Sequence, residues 1–208
     1  MPQDGAIRAI FFDFGGVIAR LDRAMLAAFE ERHGLPAGSF LEALYRIPEW
    51  RALEVGQGDE DAWMAAAKRR LDEIAGRPLP DITEERQTMW RRLDADVVAL
   101  ARALKVRYRL GVLSNATARL ESELHDYHGI GELFDVIVNS FRVGLAKPDP
   151  RIYALAAERL GVSPAACVHI DDLPHNVEGA REAGFQAVHH RGDYPQLEID
   201  LRSLGVEW

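Results

Sequence analysis

The segment Ala9-Ile10-Phe11-Phe12-Asp13-Phe14-Gly15-Gly16-Val17-Ile18 constrains the fold most, because a short apolar run ends on a single acid and breaks at once into two glycines. Such a run reads as a buried strand with Asp13 at its carboxyl end. In open α/β sheets, ligands bind in the crevice outside the carboxyl ends of the strands, so a carboxylate there can meet substrate or metal. An acid that merely starts a turn after a strand leaves the same local pattern. Residues elsewhere in the chain must decide between the two.

Strand signals return near 108–114, 135–139, 167–171 and 186–190, separated by helical patterns near 94–105, 117–127, 149–160 and 174–183. Strands alternating with helices predict an α/β protein with a doubly wound, Rossmann-like parallel sheet. Gly161 and Gly184 fall where helix C-caps belong, and Pro164 opens the approach to the strand at 167–171. Between the first two strands lies a long block of helical pattern, with pieces near 22–33, 37–46, 60–76 and 82–92. It is too long for an ordinary crossover connection and predicts an inserted helical cap over the carboxyl edge of the sheet. The core is then expected over 1–17 and 97–208, and the cap over 18–96.

The 208 residues are 48% hydrophobic and 28% charged, which is enough material for a full core. A net charge of -8 argues against nucleic acid or an anionic membrane as partner, since both need clustered Lys and Arg. Any phosphate site must therefore be locally positive. Met1-Pro2-Gln3-Asp4-Gly5 has no basic stretch feeding a long apolar segment, and no run of about 18 apolar residues occurs, so a cytoplasmic protein is expected. The single cysteine, Cys167, sits in an apolar run and reads as a core residue rather than a catalytic thiol. Nothing in the sequence sets an oligomeric state.

Three further strand ends carry polar chemistry. Leu113-Ser114-Asn115-Ala116-Thr117 offers a hydroxyl, an amide and backbone N–H groups at a helix start, which suits a phosphate oxygen and equally suits a plain N-cap. Gly144-Leu145-Ala146-Lys147-Pro148-Asp149-Pro150 fixes one lysine between stiffening prolines, although most lysines are simply solvated. Val168-His169-Ile170-Asp171-Asp172 ends on two adjacent carboxylates, which raise each other's pKa, a cost that a bound divalent cation removes. Hard oxygen ligands of this kind suit Mg²⁺.

The order Asp13, Ser114-Asn115, Lys147, Asp171-Asp172 resembles the haloacid dehalogenase-like superfamily, whose motifs all occur here in sequence over about 9 to 190. The resemblance implies Asp13 as nucleophile and metal ligand, with the Gly15 backbone carbonyl as a second ligand. Ser114 and Asn115 would bind the transferring phosphoryl group, and Lys147 would neutralise charge on it and on Asp13. Asp171 would hold Mg²⁺, with Asp172 supporting it directly or through water, and the long insertion looks like the family's C1-type cap. A phosphate dianion repels a carboxylate nucleophile, so the metal and Lys147 must offset that charge before an aspartyl-phosphate can form and be hydrolysed. The expected function is a Mg²⁺-dependent phosphatase acting on a small phosphorylated metabolite. The alternatives are a dehalogenase, which has little use for the acidic pair, and a phosphoacceptor module of the receiver kind, which needs no cap.

One departure stands out. Phosphatases of the family place a second aspartate two positions after the nucleophile to protonate the leaving group, and that position here is Gly15. General acid–base catalysis contributes on the order of 10²–10⁴-fold, so its loss selects better leaving groups, recruits a cap residue or leaves a slow enzyme. Anomeric sugar phosphates leave more easily than alkyl ones, which suggests a sugar phosphate. The rate is then expected to depend steeply on leaving-group pKa, unless Glu54 or a cap neighbour supplies the proton. Installing Asp at position 15 requires a backbone that tolerates a Cβ.

Other polar and aromatic residues carry weaker expectations. His189-His190, His125 and His128 read as solvated or capping, and His175 as a plain loop residue. Glu54-Val55-Gly56-Gln57-Gly58-Asp59-Glu60 fits either a lid facing the site or a helix–helix turn. Trp50, Trp63 and Trp90 read as cap core rather than sugar-stacking platforms.

Overall fold

The computed structural model describes residues 6–208. Residues 1–5, from which no leader was expected, lie outside the described residues. The elements run β1 (Ala9–Phe12), β2 (Ala19–Arg20), α1 (Arg23–His33), α2 (Ser39–Tyr45), α3 (Pro48–Leu53), α4 (Glu60–Ala75), α5 (Thr83–Met89) and β3 (Arg92–Leu93). They continue with α6 (Ala95–Leu104), β4 (Arg109–Ser114), α7 (Leu120–Ser122), β5 (Val136–Asn139), α8 (Ser140–Val143), α9 (Pro150–Arg159), β6 (Cys167–Asp171), α10 (Pro174–Glu182), β7 (Gln186–His189) and α11 (Tyr194–Ser203).

Five strands form one parallel sheet in the order β5-β4-β1-β6-β7. The chain leaves β1 to build one half of the sheet and returns to its other side to build the second, so β1 sits at the switch point where an α/β sheet opens a crevice. Alternate residues of each strand point to opposite faces, and both faces are buried. Ile10, Phe12, Leu110, Val112, Val168 and Ile170 join one cluster with α6 and α11. Ala9, Phe11, Leu113 and Cys167 join a second under α9 and α10. This explains why the strands read as nearly continuous apolar runs rather than alternating ones. Burial pushes the Cys167 thiol up to about 12, which leaves it inert.

Helices α1–α5 pack into a third cluster of their own around Phe29, Phe40, Trp50, Trp63 and Leu71. Trp63 donates its indole N–H to the Leu44 carbonyl at 2.6 Å and, with Trp50, lies in this insertion's core, as the sequence suggested. The insertion joins the core through an antiparallel ribbon in which Ala19 faces Leu93 and Arg20 faces Arg92.

Several local features depart from the sequence pattern. Residues 117–127 do not form one helix: α7 is a single turn that widens into a π-type turn over Glu123–Tyr127. The Thr117 carbonyl accepts from the Asn139 amide at 2.9 Å and from the Leu120 N–H at 3.4 Å, a three-residue turn rather than an α-helical one. The helix at 37–46 stops at Tyr45, and Pro48 starts a separate one, since proline has the fixed φ of a first helical position. The ribbon strands β2 and β3, two residues each, and α11 are not among the predicted elements, although Tyr194, Leu197 and Leu201 of α11 fall on one helical face against the core.

Candidate active site

Residues at or just past the ends of the three central strands converge. Asp13 is 6% exposed, and its Oδ1 accepts from the Phe14 N–H at 2.7 Å and the Ser114 hydroxyl at 2.6 Å. Lys147 Nζ lies 3.2 Å from the same oxygen. Asp13 Oδ2 accepts no hydrogen bond among the described residues, which leaves it for a reacting atom or an ion.

Lys147 is held there by the strand β4 end. Asn115 accepts from the Lys147 N–H at 2.8 Å and donates to the Lys147 carbonyl at 3.0 Å, clamping the loop that carries the lysine. The ammonium donates to the Leu113 carbonyl at 2.9 Å and to Asp171 Oδ2, with both side chains of that pair fully buried. Burial alone would lower the Lys147 pKa, but Asp13 and Asp171 outweigh it and hold the amine charged above its ordinary range.

The acidic pair divides its work. Asp171 accepts from the Leu173 N–H at 2.9 Å and the Asn176 amide at 3.1 Å, and lies 3.0 Å from His169 Nε2. Burial works against its charge, yet Lys147 and His169 keep its carboxyl well below the usual carboxylate range. Asp172 is half-buried and its carboxylate receives no hydrogen bond from another described residue, and burial followed by the Asp171 charge pushes it up to about 6. Asp13 is likewise raised to about 6, by burial first and then by Asp171 and Asp172 against the lowering effect of Lys147. Carboxylate oxygens of Asp13, Asp171 and Asp172 lie within 4.8 Å of one another. Among the described residues they are the only group of three or more such side chains able to converge on one ion.

Gly15 and Gly16 have distinct reasons to be glycine. Gly15 lacks a positive φ, and a Cβ there would meet the Trp90 ring at an ordinary 3.8 Å. The conformational demand falls on Gly16, whose φ is 83° and whose Cβ would fall inside the Asp172 carboxylate. We expect Gly16→Ala to cost about 1–2 kcal/mol from backbone strain and to displace Asp172. Denaturant melts check the first effect and a crystal structure of the variant the second.

A cleft of about 2090 Å³ opens over these residues, lined by Asp13, Ser114 and Asp172 from the core and by Glu54, Trp90 and Arg86 from the insertion. Arg23, Arg46, Arg51, Arg91 and Arg119 also line it, alongside acids such as Asp22, Glu42 and Asp126, so the cleft is rich in both charges. Glu54, half-buried, accepts from the Asn115 amide at 2.9 Å, so a carboxyl from the insertion touches the residue next to Ser114. Burial pushes it up to about 7, against lowering by Asn115 and Arg51.

All the residues singled out from the motifs, Asp13, Gly15, Ser114, Asn115, Lys147, Asp171 and Asp172, line this one place. His169 and Asn176 complete it; Asn176 belongs to the Asp-Asp-x-x-x-Asn-Val-x-Gly-Ala segment that carries the resemblance, whereas His169 had no signal beyond its neighbourhood to Asp171. The expectation of solvated histidines fails at His190, which is 3% exposed and donates its backbone N–H to the Asp171 carbonyl at 2.9 Å. His189 Nε2 lies 2.9 Å from the Asp172 carbonyl, so this pair fixes the acidic turn. His175 is exposed in the first turn of α10 rather than in a loop.

Comparison with known proteins agrees with this arrangement. A family model described as a haloacid dehalogenase-like hydrolase matches residues 7–184. The chain is 26% identical to acyl-CoA dehydrogenase family member 10 of Mus musculus, covering 95% of this chain and 19% of that protein. It is 41% identical to a phosphatase of Mycobacterium tuberculosis, covering 52% of each. The chain thus spans about a fifth and about half the length of these two relatives. With the phosphoserine phosphatase of Thermus thermophilus the identity is 30%, over 94% of this chain and 87% of that one. Among solved structures, a predicted hydrolase of the same kind from Porphyromonas gingivalis superposes with a TM-score of 0.69 at 25% identity, covering 94% and 98% of the two chains. An Asp-to-Ala mutant of a family enzyme from Bacteroides thetaiotaomicron, in complex with magnesium and inorganic phosphate, superposes at 0.65 with 20% identity, covering 92% and 99%. With a family model spanning most of its length and the motif residues gathered at one switch-point crevice, the chain belongs to the haloacid dehalogenase-like hydrolases.

Proposed function

We propose that the chain is a Mg²⁺-dependent phosphatase that transfers a phosphoryl group from a small phosphorylated metabolite to Asp13 and then to water. The observation that supports this most is the trio Asp13, Asp171 and Asp172 around one buried ammonium, an all-oxygen donor set with more negative charge than Lys147 alone offsets. The Gly15 carbonyl, two positions after Asp13, accepts no hydrogen bond among the described residues and would add a fourth hard oxygen. These donors fit Mg²⁺, and Asp172 rather than Asp171 has its carboxylate free for it. When bound, Mg²⁺ would screen the phosphate dianion from the Asp13 carboxylate.

The chain's own residues divide the remaining tasks. Ser114 and Lys147 hold Asp13 Oδ1 and leave Oδ2 without a hydrogen bond among the described residues, and Lys147 stays charged beside Asp13 to offset the charge of an incoming phosphoryl group. Asn115 fixes the lysine loop through its side chain, and with Ser114 it would bind the transferring phosphoryl group. The insertion acts as a cap, and its arginines and the Trp90 face suit a polar, ring-containing organic part such as a sugar. Phosphatase names among the relatives support the reaction class, and the magnesium and phosphate in a protein of the same fold support the cofactor.

Phosphate and halide release from a panel of phosphate monoesters and 2-haloacids, with Mg²⁺ and with EDTA, tests the proposal. Phosphate release that stops in EDTA and returns with excess Mg²⁺ is expected. Asp172→Ala should raise the Mg²⁺ requirement by about 10–100-fold, the range for weakened ligand sets. Halide release indifferent to EDTA would replace the phosphatase with a dehalogenase.

A further inference from the structure

We propose that Glu54, carried by the helical insertion, is the acid–base catalytic residue of this reaction and performs the proton transfer for which position 15 has no side chain. The inference rests on the phosphatase proposal above.

The loop after Asp13 is Phe14-Gly15-Gly16, and the Trp90 ring packs over Gly15. The Lys147 ammonium is committed to Asp13 and Asp171, and His189 to the Asp172 backbone. Glu60, near the arginines that line the cleft, pairs with Arg86 and Arg119. Glu123, also raised by burial, sits against those same two arginines and not against the strand ends.

Glu54 is placed by construction rather than by a stray rotamer. Its own N–H donates to the Trp50 carbonyl at 2.8 Å, while Gly56 and Gln57 donate back to Leu53 and Ala52 at 2.9 Å, so α3 ends in a locked turn. That turn lies against the core, because Gly56, at φ 71°, approaches the Phe141 carbonyl so closely that a Cβ would clash with it. Across the contact, Asn115 uses its Oδ1 for the Lys147 N–H, which turns its Nδ2 toward Glu54 Oε2. The carboxyl therefore stands one residue from Ser114, whose hydroxyl holds the nucleophile.

The chemistry of the group suits the role. Arg51 on its own element and Lys147 across the cleft are the charges that face it, and both lower its pKa, but burial outweighs them and carries it up to about 7. A carboxyl poised there exchanges its proton near neutral pH. In the first step Asp13 bonds to phosphorus, the phosphorus–oxygen bond to the leaving group breaks, and the Glu54 proton goes to that oxygen. In the second, water bonds to phosphorus and gives its proton to the Glu54 carboxylate, while the bond from phosphorus to Asp13 breaks. Ester and water become alcohol and phosphate, with both side chains restored.

The glutamate also latches the insertion to the core, and Glu54→Gln separates the two roles, since a glutamine oxygen still accepts from Asn115 but transfers no proton. The measurement is kcat for an aryl phosphate and for an alkyl phosphate, each with Mg²⁺, on both proteins. Glu54→Gln should lower the alkyl rate by about 10²–10⁴-fold and the aryl rate far less, which steepens the dependence on leaving-group pKa. Equal loss on both esters would assign Glu54 to the latch alone, and no loss on either would remove it from the reaction; each outcome overturns the proposal. A wild-type protein that releases phosphate from neither ester would instead overturn the phosphatase assignment beneath it.

Discussion

Asp13→Asn is expected to lower turnover by on the order of 10⁴-fold or more, the scale of losing a nucleophile, while leaving the fold intact. The amide is nearly isosteric, and its oxygen can still accept from the Phe14 N–H and the Ser114 hydroxyl. Lys147 keeps Asp171 as its partner. Because burial and two neighbouring acids raise Asp13 to about 6, its protonated form stabilises the fold below the ordinary carboxylate pKa, and that contribution disappears as pH rises through about 6. Above that pH the wild-type protein without metal carries a buried charge that the variant lacks. The variant should then melt no lower than the wild type at pH 8 in EDTA, and calorimetry beside a phosphate-release assay checks both halves.

Lys147→Met has the largest expected effect on stability. Its side chain and that of Asp171 are fully buried, and removing the cation leaves two carboxylates facing each other without compensation. Losing one partner of a buried pair costs about 3–5 kcal/mol. The sign of the pH dependence follows from Asp171, whose pKa the lysine depresses. In the wild type that ion pair contributes stability above the ordinary carboxylate pKa. Without Lys147, acidification lets Asp13 and Asp171 take up protons and relieves the penalty. The stability gap between the two proteins should therefore shrink from pH 7 toward pH 4, as urea melts across that range will show.

The sheet was legible because its strands are short apolar runs bounded by turn residues and separated by stretches of helical period. The site was legible for a related reason: Asp13, Ser114 and Asp171 each terminate such a run, and the parallel topology brings those ends to one edge. Glu54 was harder to place, since its position depends on a turn docking against α8 some ninety residues later in the chain. His169 reads as one more strand residue until β6 is seen to aim it at Asp171. Gly15 and Gly16 look alike in sequence, and only the φ of Gly16 and its closeness to Asp172 separate them. The break of the helix at 117–127 likewise involves a hydrogen bond from Asn139, which no local pattern records.

Whether Asp13 itself carries the phosphoryl group can be read by stopping an aryl phosphate reaction in mid-turnover with borohydride, which reduces an acyl phosphate to an alcohol. Peptide mass spectrometry then locates the reduced residue. Homoserine at position 13, absent when substrate or Mg²⁺ is omitted, is the predicted result. Phosphate release with Asp13 unmodified under the same quench, and with Asp13→Asn still active, would contradict a mechanism through that carboxylate.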